Sequence, residues 1–384
     1  MSKLKLLILI LFSSFLIVSC EDDSTLSVVT KTETKDIVSQ VACEFANSIN
    51  SSESTTRALS SISVVSLSKL ALNRNSAWTR ASISSEDTIY SASLSDNKGS
   101  VILIKRASNV LPLAYFRDEK ELDLKEILSD TISDKAFVIQ SVIEDVSANN
   151  SLANINASQD YSVVERLLPK CKVSWSQDSP YNRYCFTSDG KQAKAGCVAI
   201  AGAQALSVLQ PKMSIISSWE NAIATNPSSQ AINEVARLVS YIGKQTGMKY
   251  GVSSSGTKAD KLVGLFAKYG ITNYGGAQNI NVLKTKHGII VISGYRAKHG
   301  WGPWKHYVDG HAFIADGYVK YNRAKDPYYM HLNYGWGNFY NKDVYVLSSK
   351  GRWDEEKGRE TYGTIFPHKI KFFAFTFPSE KNWR

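Results

Sequence analysis

A single cysteine stands at the start of a long run of small apolar residues, in the stretch KAGCVAIAGAQALSVL (194–209). The run predicts a helix over 196–209 that is buried on nearly all sides and ends before Pro211. The free N–H groups and the positive dipole end of a helix start favour a thiolate there. Cys197 is therefore a candidate nucleophile, although free cysteines are also among the most commonly buried residues.

A thiol nucleophile needs a base, and the chain contains six histidines. His311 lies in GHAFIADGY (310–318), at the head of an alternating pattern that predicts a strand between two glycine-containing turns. His331 is the main competitor, and His306 is a weaker one. Histidines on strands are often structural, so spacing alone leaves the choice of base open.

Two further stretches carry groups that can support a cysteine–histidine pair. In HLNYGWGN (331–338), Asn333 can accept a hydrogen bond from one imidazole nitrogen, and Trp336 can shield the imidazole from water. Taken by itself, this stretch also fits a tight hairpin with a core tryptophan. Gln177, twenty residues before Cys197, offers a side-chain N–H₂ as an oxyanion donor beside the backbone amide of that cysteine.

Four segments resemble, in the same order, the matching segments of the streptopain-type cysteine peptidases, a branch of the papain-like clan. They are WSQDSPYN, AGCVAIAGAQ, GHAFIADGY and HLNYGWG, and the resemblance covers about 165–384. It implies a peptidase that acts on proteins and peptides through a thioester and needs no metal or cofactor. The implied roles are nucleophile for Cys197, general base and acid for His311, oxyanion donor for Gln177, imidazole shield for Trp336, and neighbouring support for Asn333.

Some positions depart from the pattern of the family. Tyr334 stands where a tryptophan is common, and Asn338 stands where a second glycine often follows. Cys171 and Cys185 are additional to the catalytic pattern, and we hypothesise that they form a disulfide bridge that staples the Gln177 segment. None of these departures removes a reacting group.

The family is also made as a zymogen, and residues 85–130 resemble its propeptide, which is implied to fold on its own and to block the cleft as an inhibitor. Counting Lys and Arg against Asp and Glu, residues 1–160 carry a charge of −5 and residues 161–384 carry +15. Complementary charges favour docking of the two parts. We expect a processing cut within 145–172.

The first twenty residues have the layout of a signal peptide, with Lys3 and Lys5 ahead of a short apolar segment. The segment ends in IVSC, which resembles the lipobox of bacterial lipoproteins. We therefore expect Cys20 to be lipidated and to anchor the protein to a membrane of the bacterial cell envelope, with the following EDDS as part of a flexible tether. A plain secretory signal is the alternative.

The periodicities predict an α+β fold, with helices followed by strands in the second half. A helical subdomain that begins with the Cys197 helix is expected to pack on an antiparallel sheet, as in papain-like enzymes, after a smaller α+β prodomain. The expected division is signal peptide 1–19, tether and prodomain 20–144, linker 145–164 and catalytic domain 165–384.

Three other functions are weighed against a peptidase. A thiol amidase or acyltransferase would use the same nucleophile on a substrate that is not a peptide. A surface lipoprotein that has only kept the fold would have no need for the combination of Cys197, His311 and Gln177. Nucleic-acid binding is disfavoured because the basic residues are scattered singly, without a Lys/Arg run or a binding motif.

Overall fold

The computed structural model describes most of both predicted domains. The described residues are 24–51, 62–71, 88–124, 161–275, 279–299, 306–322, 328–337, 343–347 and 368–381. The predicted signal peptide, Cys20 and nearly all of the predicted linker lie outside these ranges. None of the helices within these ranges has the length and apolar character that crossing a membrane requires.

The described chain contains six α-helices and eleven strands, numbered in chain order. The helices are α1 Ser24–Asn50, α2 Cys197–Leu209, α3 Trp219–Ala222, α4 Ser229–Gln245, α5 Lys261–Ala267 and α6 Asn279–Lys284. The strands are β1 Val64–Ala71, β2 Thr88–Leu94, β3 Ser100–Arg106, β4 Asn109–Phe116, β5 Val163–Leu167, β6 Thr272–Asn273, β7 Ile289–His299, β8 His306–Tyr321, β9 Tyr328–Asn333, β10 Val344–Leu347 and β11 His368–Thr376.

All eleven strands belong to one antiparallel sheet. Its order is β1-β2-β3-β4-β10-β9-β8-β7-β11-β6, and β5 pairs separately with β8. The first four strands come from the predicted prodomain and the others from the second half of the chain. The predicted α+β architecture, with helices on an antiparallel sheet, is confirmed.

The sheet separates two hydrophobic cores, because alternate residues of a strand point to opposite faces. On β7, Ile289 and Val291 belong to the core that also contains α2, α4 and α5. Ile290 and Ile292 belong to the other core, which contains α1 and the prodomain strands. Helix α2 packs directly on β7 and β8 and on helix α4.

The prodomain and the second half of the chain share one core and one sheet. Strand β4 pairs with β10, with Tyr115 opposite Tyr345. The ring of Phe45 on α1 lies 4.5 Å from that of Tyr329 on β9, measured between centroids. The two parts of the chain therefore complete one another's packing, and the independent folding of the prodomain stays a prediction.

The buried apolar residues of the described prodomain belong to the core on the sheet face opposite to helix α2. None of them belongs to the core against which Cys197 packs. Blockage of the cleft by the prodomain stays a prediction.

The element predictions hold well in the second half and less well in the first. The helix expected over 196–209 is α2, which ends at Gln210 in a left-handed conformation, just before Pro211. Helix α1 and strand β5 were not predicted, and β5 crosses the expected boundary at residue 165. Apolar residues at helical spacing also predict a helix over 118–130, and most of that range lies outside the described residues.

Candidate active site

Cys197 is the first residue of α2, and the twelve residues that follow it in the helix are all buried. Gly196 precedes it with a φ of +87°, in the region that favours glycine. A Cβ atom at Gly196 would lie 2.7 Å from the Sδ atom of Met248, so a side chain there would have to displace the end of the Met248 side chain. The half-buried thiol thus sits at a helix start whose backbone conformation favours this glycine.

The other three described cysteines are poor nucleophiles. Burial raises the pKa of the Cys171 thiol to about 12, with a further contribution from Asp316. Burial also raises the pKa of Cys185 and of Cys43. Cys171 and Cys185 are both free thiols, which contradicts the hypothesis of a bridge between them.

His311 is buried in β8, opposite Gly294 of β7, in a strand against which α2 packs. Its Nε2 atom lies 2.9 Å from the carbonyl oxygen of Tyr334. A carbonyl oxygen can only accept, so Nε2 carries the proton and donates it. In the neutral imidazole, Nδ1 is then the unprotonated nitrogen, and it is the one that can act as a base.

Trp336 lies against the imidazole of His311, with 5.1 Å between the ring centroids and 28° between the planes. Its indole also stacks on the Tyr334 ring at 4.8 Å and 11°. The short segment 334–336 therefore contacts His311 through the Tyr334 carbonyl group and through the stacked rings of Tyr334 and Trp336. These contacts restrict the orientation of the imidazole.

Asn333 is buried close by, but its carboxamide does not bond to His311. Its Oδ1 accepts from Gln204 Nε2 at 2.9 Å and from the Gly335 amide at 3.0 Å, and its Nδ2 donates to the Val173 carbonyl at 3.0 Å. The sequence-based interpretation of Asn333 as the imidazole acceptor is wrong. The Tyr334 carbonyl takes that position, and a main-chain acceptor leaves no signature in residue types.

The Gln177 segment lies between the start of α2 and the Trp336 loop. The carbonyl oxygen of Gln177 accepts from the Ala195 amide at 2.9 Å, two residues before Cys197. A Cβ atom at Gly337 would lie 3.1 Å from Cβ of Ser176. The structure thus brings the Gln177 backbone next to the start of α2.

His331, the competing histidine, is held between two carboxylates. Its Nδ1 bonds to Asp316 and its Nε2 lies 3.2 Å from Oδ1 of Asp343. Burial alone would lower its pKa, but the two carboxylates outweigh burial and raise the pKa to about 10. An imidazolium that is charged at neutral pH, with both nitrogens engaged, is unsuited to accept a proton there.

The described residues contain no group of three or more His, Cys, Asp or Glu side chains that could hold a metal ion. The site is therefore built from a thiol, an imidazole and carboxamide or backbone groups. The backbone amide at Cys197 and the carboxamide of Gln177 are its candidate oxyanion donors.

The chain shows similarity to one family and to solved structures. The model of the Peptidase C10 family matches residues 208–343, a range that includes His311, Asn333 and Trp336 and begins after Cys197. No curated protein matches the chain.

Two solved structures from Prevotella intermedia are similar to this chain. A fragment of prointerpain A has 16% identity and a TM-score of 0.50, over 74% of this chain and 94% of that one. Active interpain A cysteine protease has 20% identity and a TM-score of 0.37, over 56% of this chain and 95% of that one. The similarity to prointerpain A extends over both the prodomain and the second half of the chain. The family match and the shared fold thus confirm the resemblance of this chain to the Peptidase C10, or streptopain-type, cysteine peptidases.

Proposed function

We propose that the chain is a cysteine endopeptidase made as a zymogen, with Cys197 as the nucleophile and His311 as the base. The observation that carries the proposal is the hydrogen bond from His311 Nε2 to the Tyr334 carbonyl, in a strand packed on the helix that Cys197 begins. That bond leaves Nδ1 as the basic nitrogen. The other described thiols have raised pKa values, so Cys197 is the one suited to react.

The reaction begins with transfer of the thiol proton of Cys197 to Nδ1 of His311. The thiolate attacks the peptide carbonyl carbon, and the oxyanion that forms is bound by the backbone N–H of Cys197 and the carboxamide of Gln177. The imidazolium then gives its proton to the leaving amine as the C–N bond breaks. A water molecule, deprotonated by the same imidazole, hydrolyses the thioester and restores the thiol.

The proposed zymogen is an exported lipoprotein anchored through Cys20 in the bacterial envelope, with its own prodomain as the inhibitor. The processing cut falls on the N-terminal side of β5. From Val163 onward the chain is fixed by the pairing of β5 with β8 and by the hydrogen bond from the Cys171 backbone amide to the Asp316 carboxylate. The proposed substrates are proteins and peptides. The preferred substrates carry a hydrophobic side chain on the residue that precedes the one whose carbonyl group is cleaved.

The test is to express residues 21–384 as wild type and as Cys197→Ala and to follow chain length with time. We expect the wild type to shorten to a C-terminal fragment and to degrade casein, with both activities blocked by a thiol alkylator. The Cys197→Ala protein is expected to stay intact. Equal shortening of the two purified proteins, or casein degradation by the variant, would contradict the proposal.

A further inference from the structure

Two buried carboxamides, those of Gln204 and Asn333, join the chain segments on which the proposed reaction depends. Their side chains are 0% and 2% exposed, and Nε2 of Gln204 donates to Oδ1 of Asn333 at 2.9 Å. Burying a carboxamide is unfavourable unless it is hydrogen-bonded. Gln204 therefore stands out in α2, whose other residues apart from Cys197 and Ser207 are small or aliphatic.

Gln204 ties the pair to the nucleophile. It lies seven residues after Cys197 in α2, which is close to two full turns, so the two side chains project from the same side of the helix. A fixed position of Gln204 therefore fixes the axial position and rotation of the helix start.

Asn333 ties the pair to the segment that orients His311. Its Oδ1 accepts from the Gly335 amide at 3.0 Å, in the loop whose residues supply the carbonyl and the indole that contact the imidazole. Gly335 has a φ of +74°, and a Cβ atom there would lie 2.8 Å from Cγ2 of Ile200. The loop thus rests directly on the helix.

Asn333 also reaches the candidate oxyanion segment. Its Nδ2 donates to the Val173 carbonyl at 3.0 Å, four residues before Gln177. The three bonds of Asn333, one of which comes from Gln204, therefore connect the helix of the thiol, the loop of the imidazole and the segment of the oxyanion donor.

We propose that Gln204 and Asn333 are positioning residues that set the distance and angle between the thiol of Cys197 and the imidazole of His311. The inference rests on the proposed function. Neither side chain is part of the reacting set, and each acts through the elements that it connects. Small displacements of reacting groups are costly, with about 100-fold in rate for a shift of about 1 Å.

The main test is Gln204→Met, which keeps the length of the side chain and removes the donor. A cleavage site for an unrelated, site-specific protease is inserted within 145–160, so that all variants are matured by the same cut. We expect kcat to fall by about 10- to 100-fold with little change in KM. We also expect a slower reaction of Cys197 with iodoacetamide at neutral pH, because a displaced imidazole stabilises less thiolate.

Ser207→Ala is the matched control. Ser207 is the other buried polar residue in α2, and its hydroxyl bonds to the carbonyl oxygen of Gln204 within the same helix and lies 3.9 Å from the sulfur of Cys171. We expect this variant to keep the kcat and the alkylation rate of the wild type, even where its melting temperature falls.

A second variant distinguishes the donor bond of Asn333 from its two acceptor bonds. It also provides a test of the positioning role if Gln204→Met does not fold. Asn333→Asp keeps the acceptor for Gln204 and for the Gly335 amide and removes the donor to Val173. We expect a lower kcat with an alkylation rate close to that of the wild type, since the thiol and the imidazole keep their relative position.

The failure of this inference differs from the failure of the proposed function. Wild-type kcat and alkylation rate in a folded Gln204→Met protein, or wild-type kcat in Asn333→Asp, would overturn the positioning role while leaving the peptidase intact. An inactive wild type would instead contradict the peptidase. The alkylation rates of wild type and Gln204→Met would still decide the positioning role.

Discussion

His311 Nε2 donates to the carbonyl oxygen of Tyr334 at 2.9 Å, so a main-chain group orients the imidazole of the proposed catalytic pair. A side-chain acceptor can be lost by substitution, whereas a carbonyl group is kept by every residue type. The orientation of His311 therefore depends on the path of the loop at Asn333 and Gly335. The identity of the residue at 334 matters through its packing alone.

Tyr334→Phe is expected to leave the activity within about twofold of the wild type. The phenol oxygen is buried and forms no hydrogen bond among the described residues, and burial raises the pKa of Tyr334 well above its ordinary value. An unsatisfied buried hydroxyl costs about 1–3 kcal/mol, so the melting temperature is expected to stay equal or to rise. Casein hydrolysis measures the activity and thermal unfolding measures the melting temperature. A large loss of kcat would show that the Tyr334 hydroxyl contributes to the reaction.

His331 is expected to make the folded protein lose stability at alkaline pH. Its pKa is about 10 in the folded chain, against an ordinary value of 6.5, so its contribution is complete below about pH 6.5 and is lost as pH rises through about 10. Denaturant unfolding of Cys197→Ala between pH 6 and pH 10.5 measures this loss.

The control for that measurement is the same protein with His331→Gln. Removing the cation leaves Asp316 buried beside a neutral partner, which is expected to cost about 3–5 kcal/mol at neutral pH. The difference in stability between the two proteins should shrink as pH approaches 10, and a difference that is constant with pH would contradict a charged His331.

Iodoacetamide is expected to label Cys197 selectively in the native protein at pH 7. The pKa of Cys171 is about 12, and burial raises the pKa values of Cys43 and Cys185, so these thiols remain protonated. Peptide mass spectrometry after brief labelling of the native protein should find one modified cysteine. After labelling of the denatured protein, all of its cysteines should be modified. Rapid labelling of Cys171 in the folded protein would contradict this assignment.

Phe45→Ala is expected to destabilise the whole zymogen by about 3–5 kcal/mol, in a single unfolding transition. Phe45 is fully buried, and its ring contacts Tyr329 across the junction of the two domains. Val65→Ala is the matched control in the prodomain, since Val65 is 66% exposed and its loss should change little. Calorimetry would show two separate transitions if the domains had independent cores.

The sequence predicts the Cys197 helix well because one long apolar run with a stop at Pro211 specifies both its burial and its end. It also places His311 on a strand, through strict alternation. It does not reveal the acceptor of His311, because a backbone carbonyl leaves no mark in residue types. Asn333 has the right chemistry for that role, and only the fold shows that Gln204 and Gly335 occupy its oxygen.

Less of the prodomain structure can be predicted from the sequence. Helix α1 has apolar residues at helical spacing from Val38 to Ile49, but they lie within a polar stretch, and its partners are Tyr321 and Tyr329, nearly 300 residues away. The joined sheet depends on pairing between β4 and β10, in which Tyr115 and Tyr345, 230 residues apart in sequence, lie opposite each other. Periodicity describes single elements and carries no information on such distant pairings.

The pairing of β4 with β10 affects how readily the proposed enzyme self-associates after activation. While the prodomain is in place, Val344–Val346 pair with β4 on one side and with β9 on the other. Loss of the prodomain in the proposed activation would turn this strand into a sheet border with open bonding groups, beside tyrosine rings that were previously covered. Long storage therefore suits the uncut precursor, and the shortened product is the form prone to self-association.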